Sequence, residues 1–249
     1  VVKDVTSATN ERTAIAAMLP RSALTDSVPW LSNHHSAEEN ACLLGNLNAF
    51  VLDFVARQKV AGLHLRGHYL AQLPVIPLER LSSSSAWIRD GGSVGRWISE
   101  RVVELSYTAH DLSDFAEDCG VGFPPYRWDE ARRNLLRCEL DAAFFHLYLP
   151  TDSNGDWCMT EGEKEEDLVR LKTNFSTPRD AVAYIMDTFP IVRRKDEAKY
   201  GTYRTKATIF EIYDAMTESL RSGQPYQTRL DPPPADPRCC HPARENCAP

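Results

Sequence analysis

The sequence predicts an α+β protein: a small mixed α/β domain at the N-terminus followed by a mostly helical one. Three observations carry this. Residues 1–32 alternate short apolar runs with turn residues and show no helical period. Residues 86–228 place their apolar side chains at helical spacing. Between them "LSSSSAWIRDGG" reads as an exposed joint. We place the first domain at 1–85, the helical domain at 86–228, and a Pro-rich tail without periodicity at 229–249, expected to lack fixed structure.

Each element has a local reason. "VVKDVTSATNERT" is polar and turn-rich, and the apolar run "AIAAMLP" ends at Pro20. "SAEENACLLGNLNAFVLDFVARQK" is read as one long helix, opened by a capping box between Ser36 and Glu39. Leu43, Leu44, Leu47, Phe50, Val51, Phe54 and Val55 fall on its buried face. Arg57 and Lys59 close it where cations favour the helix dipole, and Gly62 stops it. "KVAGLHLRGHYLAQLPVIP" follows as a glycine-flanked turn and a short apolar strand.

Helices are then expected in "VGRWISERVVELSY", "DLSDFAED" and "YRWDEARRNLLRCELDAAFFHLYL", with the acidic loop "TDSNGDWCMTEGEKEED" after them. "TPRDAVAYIMDTF" has three agreeing start signals: Thr177 as N-cap, Pro178 at the first helical position and Asp180 in the first turn. "RTKATIFEIYDAMTESLRSG" puts Ile209, Ile212, Tyr213, Met216 and Leu220 on one face and ends at Gly223.

The chain has 249 residues, 43% hydrophobic and 25% charged, enough for one large core or two small ones. Its net charge of -7 excludes a protein that coats nucleic acid through bulk charge; any DNA contact needs a local basic patch or a larger assembly. The 7 cysteines form no evident disulfide framework, and no apolar run reaches membrane-spanning length. Cytoplasmic localisation with reduced thiols, and no membrane partner, is the expectation. A chain opening on Val1 also reads as a piece of a longer polypeptide.

No catalytic constellation assembles. His64 and His68 are four apart, but Leu65 stands where a zinc-protease helix needs its Glu, and Gly67 disfavours the helix. Cys239, Cys240, His241 and Cys247 are ligands by type, with spacing poorly suited to a tetrahedral metal. "DEAK" with Asp180 or Asp187 lacks the strands a two-metal nuclease would use. "GGSVG" lacks the Lys and Ser/Thr of a phosphate-binding loop. No metal site is assigned. A basic and polar set does remain: Arg57, Lys59, His64, Arg66 and His68, joined by Asn10 and Arg12. Such side chains suit phosphate and base-edge contacts, and equally an ordinary surface. "VRRKDE", Arg193 to Glu197, is a second basic spot, read as a solvated loop.

Three stretches, "DVTSATNERTAIAAMLP", "LLGNLNAFVLDFVARQKVAGLHLRGHYLAQLPVIP" and "YIMDTFPIVRRKDEAKYGTYRTKATIFEIYDAM", carry a family resemblance. Together they resemble the C-terminal region of Eco57I-like adenine-N6 DNA methyltransferases, the type IIG restriction-modification enzymes and their relatives in phage defence. The similarity runs from the N-terminus to about residue 237. It implies a target recognition domain whose partner is double-stranded DNA. Both S-adenosyl-L-methionine (SAM) and the catalytic site would belong to an upstream methyltransferase domain; here "FPPYRW" has Phe123 where the family's catalytic Asn would stand. Arg66, Gly67 and His68 depart from the Asn and aromatic residues that relatives carry there.

On this resemblance the DNA-binding residues are expected to be Asn10, Arg12, Arg57, Lys59, His64 and Arg66. The alternative is a helical interaction module that docks a nuclease or defence subunit. Burial or dispersal of the side chains around Arg57 to His68 would favour docking.

Overall fold

The computed structural model describes residues 1–160 and 162–242, apart from the side chain of Asp90. The architecture is helical, which corrects the α+β expectation. Eleven α-helices run in order among the described residues: α1 (Ala37–Leu47), α2 (Phe50–Lys59), α3 (Gly67–Leu70), α4 (Leu78–Ser82), α5 (Val94–Ser106), α6 (Ser113–Asp118), α7 (Glu130–Tyr148), α8 (Glu165–Asn174), α9 (Pro178–Asp187), α10 (Pro190–Tyr200) and α11 (Arg204–Ser222). Extended pairing among the described residues amounts to four isolated bridges, Val2 with Ala16, Val5 with His64, Tyr126 with Cys240 and Thr151 with Trp157.

The period-2 pattern behind the strand expectation is nonetheless physical. Val2, Asp4 and Thr6 are buried while Lys3 and Val5 face outward. The backbone partners are scattered, however: Val2 donates to Pro29, Asp4 to Ser27, Lys3 to Ile15 and Thr6 to Leu63. The segment satisfies its amides against several irregular neighbours, so no ladder forms.

α7 is the axis. Every residue from Cys138 to Leu147 is buried, so this helix is enclosed on all sides. α11 and α5 pack along it, and α1 packs on α5. The α1–α5 crossing is close because Gly45 has no side chain; a Cβ there would lie 2.9 Å from Val102 Cγ2. Phe144 and Phe145 are fully buried in this core, each side chain contributing roughly 1.5–3 kcal/mol by burial.

Two further expectations need correction. The long helix expected over residues 36–59 is two helices with a break at Asn48 and Ala49, although its Ser36–Glu39 capping box is present. Asn48 accepts from Ala16 N–H (3.1 Å) and donates to Ala16 C=O (3.0 Å), pinning the break to the N-terminal segment. Phe50 N–H, the first amide of α2, donates to the buried Asp141 (2.7 Å). These partners outweigh continuity of the helical ladder.

The second correction concerns the tail. Residues 229–242 are packed, with Leu230, Cys239 and Cys240 buried. Arg127 N–H donates to Cys239, and His241 N–H to Pro125. Arg132 clasps Glu104 with its Nε and donates to the carbonyls of Pro232 (2.6 Å) and Pro233 (3.1 Å). Proline richness removes donors, and here Arg132 of α7 uses the carbonyls that prolines keep while Glu104 of α5 accepts from Ala235 N–H (3.1 Å). Residues 243–249 of the expected tail lie outside the described residues. The joint at 81–92 separates no cores either: one apolar cluster extends from Ala41 through Leu81 and Trp87 to Cys240. A smaller cluster around Val2, Leu52, Leu65 and Leu73 lies under the N-terminal segment. No described helix is long and apolar enough to cross a membrane.

Candidate functional site

The structure divides the residues expected to contact DNA. Arg57 lies on α2 with its side chain only 8% exposed. It donates from Nε to Asp53 (3.1 Å), from Nη1 to the carbonyls of Ala8 (3.2 Å) and Thr188 (3.4 Å), and from Nη2 to those of Asn10 (2.7 Å) and Glu11 (2.8 Å). Its guanidinium also sits 4.2 Å above the Phe189 ring. Asp53, fully buried, accepts in turn from Thr13 (2.8 Å) and Ala14 (2.6 Å) N–H. Arg57 is therefore a bolt joining the N-terminal segment, α2 and the α9–α10 junction, with no donor left for phosphate.

Asn10 is exposed at the edge of that clasp, and Lys59 is half-buried at the end of α2. His64 Nδ1–H donates to Asp4 (2.7 Å), while Arg66 is exposed where α3 begins. His68 stacks on Tyr69 at 4.1 Å. None of these five lines the space that Arg12 faces.

That space is a groove of about 800 Å³, within the size range of ligand sites. The N-terminal segment, the α1–α2 break, α5, α7, α10 and the start of α11 line it. At its floor the Arg12 guanidinium lies 3.2 Å from the Phe50 ring centroid and 3.8 Å from Asp141. Burial lowers the Arg12 pKa, opposed by Asp141. Burial likewise pushes the Asp141 carboxyl up to about 6, with Arg12 and Phe50 N–H as the opposing influences.

The walls are richer in cations than the chain as a whole. α7 contributes Arg133 and Arg137, one turn apart, and α10 contributes Lys195 and Lys199. Arg133 is 8% exposed; it donates to Leu105 C=O (2.9 Å) and lies 3.6 Å from the ring centroid of Trp128, itself 63% exposed. Of the groove's carboxylates, Glu11 pairs with Lys195, Asp196 caps Thr205 N–H (2.6 Å) and Asp141 holds Phe50 N–H, while Glu130 is exposed at the start of α7. Arg137 and Lys199 have no carboxylate within ion-pair distance among the described residues. Arg204 stacks 4.6 Å from the Tyr200 ring at the groove's edge. The chemistry on offer is oxyanion binding and π-stacking.

The pattern reading of single elements did not reach this groove. Its signals were visible, in Trp128 with Arg133 and Arg137 at helical spacing and in the basic run from Arg193. The run is half of α10 rather than a solvated loop. The groove exists only once α7 and α10 face the N-terminal segment. Of the tail thiols, Cys239 and Cys240 are buried, and burial pushes Cys240 up to about 11. No cluster of metal-ligating side chains occurs among the described residues; Cys247 lies outside them.

The fold and groove define a helical protein with an aromatic- and cation-lined cleft beside an axial buried helix. No family model matches the chain, and no curated protein or solved structure matches it.

Proposed function

We propose that this chain is a DNA-contacting module of an adenine-N6 DNA methyltransferase or restriction-modification system, touching DNA through the α7–α10 face of the groove. The supporting observation is the set of Arg137, Lys199 and Arg204 beside the Trp128–Arg133 stack, cations without carboxylate partners in a chain of net charge -7. Such cations suit backbone phosphates, and the outer face of Trp128 suits a base or sugar. The resemblance of the sequence supports the parent activity; SAM binding and methyl transfer then belong to an upstream domain. Arg57, whose donors are all used within the chain, leaves the list of DNA contacts.

Binding of a labelled duplex, followed by anisotropy over a range of salt, tests this. Removing both charges in R137A/K199A should weaken binding on every sequence and reduce the salt slope by about 2. K59A/R66A should leave it near wild type. Absence of salt-dependent binding by the wild-type chain, or an unchanged slope in R137A/K199A, would refute the assignment.

A second reading, a module that docks a restriction or defence partner, is favoured by the exposed apolar side chains of the N-terminal layer. Trp30 is 70% exposed and Leu63 66%, with Val5, Leu19 and Leu31 also outward. Here W30S/L63S would abolish co-purification with the restriction or defence partner while leaving duplex binding intact.

A further inference from the structure

We infer that the floor of the groove is an oxyanion pocket for a phosphoryl group, with Arg12 as its receptor. The inference goes beyond the surface reading, because Arg12 lies beneath the cation-bearing rim and has its own reason to bind.

That reason is an unmet demand for acceptors. A guanidinium carries five N–H donors, and buried ones are ordinarily satisfied. Arg12 makes no side-chain hydrogen bond among the described residues. Its Nη1 is buried without a partner, and its approach to Asp141 at 3.8 Å is beyond hydrogen-bond range. The comparison with Arg57 is direct: both guanidiniums lie near the Phe189 ring, Arg57 at 4.2 Å with five hydrogen bonds and Arg12 at 5.7 Å with none. Arg12 is nevertheless 21% exposed, so the groove reaches it.

Its neighbours select an anion with several acceptor oxygens. Arg137 and Lys199 border the same groove with no ion-pair partner among the described residues, so a tetrahedral oxyanion meets a cation from α7 and one from α10. Asp141 is the counterweight. Its Oδ1 is committed to Phe50 N–H and its Oδ2 faces Arg12, so an arriving anion competes with Asp141 for that guanidinium. The Trp128 face bordering the cleft fits a phosphoryl group carried by a planar ring. A phosphoryl group of this kind comes from a free mononucleotide or from a nucleic-acid backbone.

Calorimetric titration of the whole chain with sulfate, whose charge is constant across neutral pH, is the primary test. Saturable 1:1 binding is expected in the wild type. R12Q should abolish it and R137A weaken it roughly tenfold, as loss of a charge-assisted hydrogen bond implies. D141N, which removes the competing charge and keeps the acceptor for Phe50 N–H, should tighten it. Circular dichroism verifies the fold of each variant; if R12Q fails to fold, R137A and D141N decide. AMP displacing sulfate while a duplex does not assigns a free mononucleotide; displacement by the duplex assigns the backbone. No saturable sulfate binding, or unchanged binding in folded R12Q or in R137A and D141N together, overturns the pocket. Duplex binding at the rim is read separately by anisotropy, so the pocket and the surface can fail independently.

Discussion

Glu139 shows how a single enclosed charge is supported. It is fully buried on α7 and accepts from Arg101 Nε (2.8 Å), Tyr226 OH (2.9 Å) and Thr228 Oγ1 (2.6 Å). Arg101 completes its shell through Trp97 C=O (2.9 Å) and the Trp97 ring. Removing one member of such a pair strands the other, at a cost of about 3–5 kcal/mol. Urea denaturation of E139A should show a loss of that size; a loss within error would mean that Arg101 finds other compensation. Asp141 and His146, on the same helix, make stability pH-dependent in opposite directions. Asp141 titrates near 6 when folded, raised by burial, so the folded chain holds a proton that the unfolded chain has released. Its contribution is fully present below the ordinary carboxylate pKa and is lost as pH rises toward 6. D141N should therefore gain stability over wild type between pH 4 and pH 7, by up to about 3 kcal/mol. Burial lowers the His146 pKa to about 4, so its contribution is present above the ordinary His range and lost as pH falls toward 4. Unfolding curves at several pH values separate the two; a constant D141N difference would rule out the raised carboxyl.

Among the elements, local signals were the readable ones. The capping boxes of α1 and α9, Pro178 at the first turn of α9 and Gly223 in the left-handed region after α11 lie within a few residues of what they determine. The break between α1 and α2 was not readable, because Asn48 answers to Ala16, 32 positions away. Arg57 looked like a surface cation for the same reason: its partners are carbonyls, which carry no sequence signature. The alternation at Val2, Asp4 and Thr6 was read correctly as burial on one face and wrongly as a strand, since side-chain period says nothing about where the amides pair. Residues 229–242 were misread from composition alone. Their order depends on Arg132, half of whose hydrogen bonds reach the segment's carbonyls. R132A should leave the helical core folded and make residues 231–242 the first site of limited proteolysis, with cleavage unchanged elsewhere; equal resistance to wild type would mean that burial of Cys239 and Cys240 suffices.

At the scale of the molecule, charge and burial are organised about α7. Its enclosed middle carries the buried ionic groups, while its N-terminal turns carry Arg133 and Arg137 to the groove. An acidic chain can thus present a local cationic face, and the electrostatic steering this allows falls with salt over the Debye length, about 10 Å at 0.1 M. The clasp around Arg57 has a further consequence, for the order in which the chain assembles. It ties residues 8–14 to α2 and to Thr188, closing sequence separations of 39 to 131 residues. The first residues of the chain therefore have no stable place to rest until helices encoded far downstream have met. The beginning of the sequence is, in folding, the last piece set down, and it should be the first to lift: native-state hydrogen exchange should open residues 2–17 well before α7 and α11.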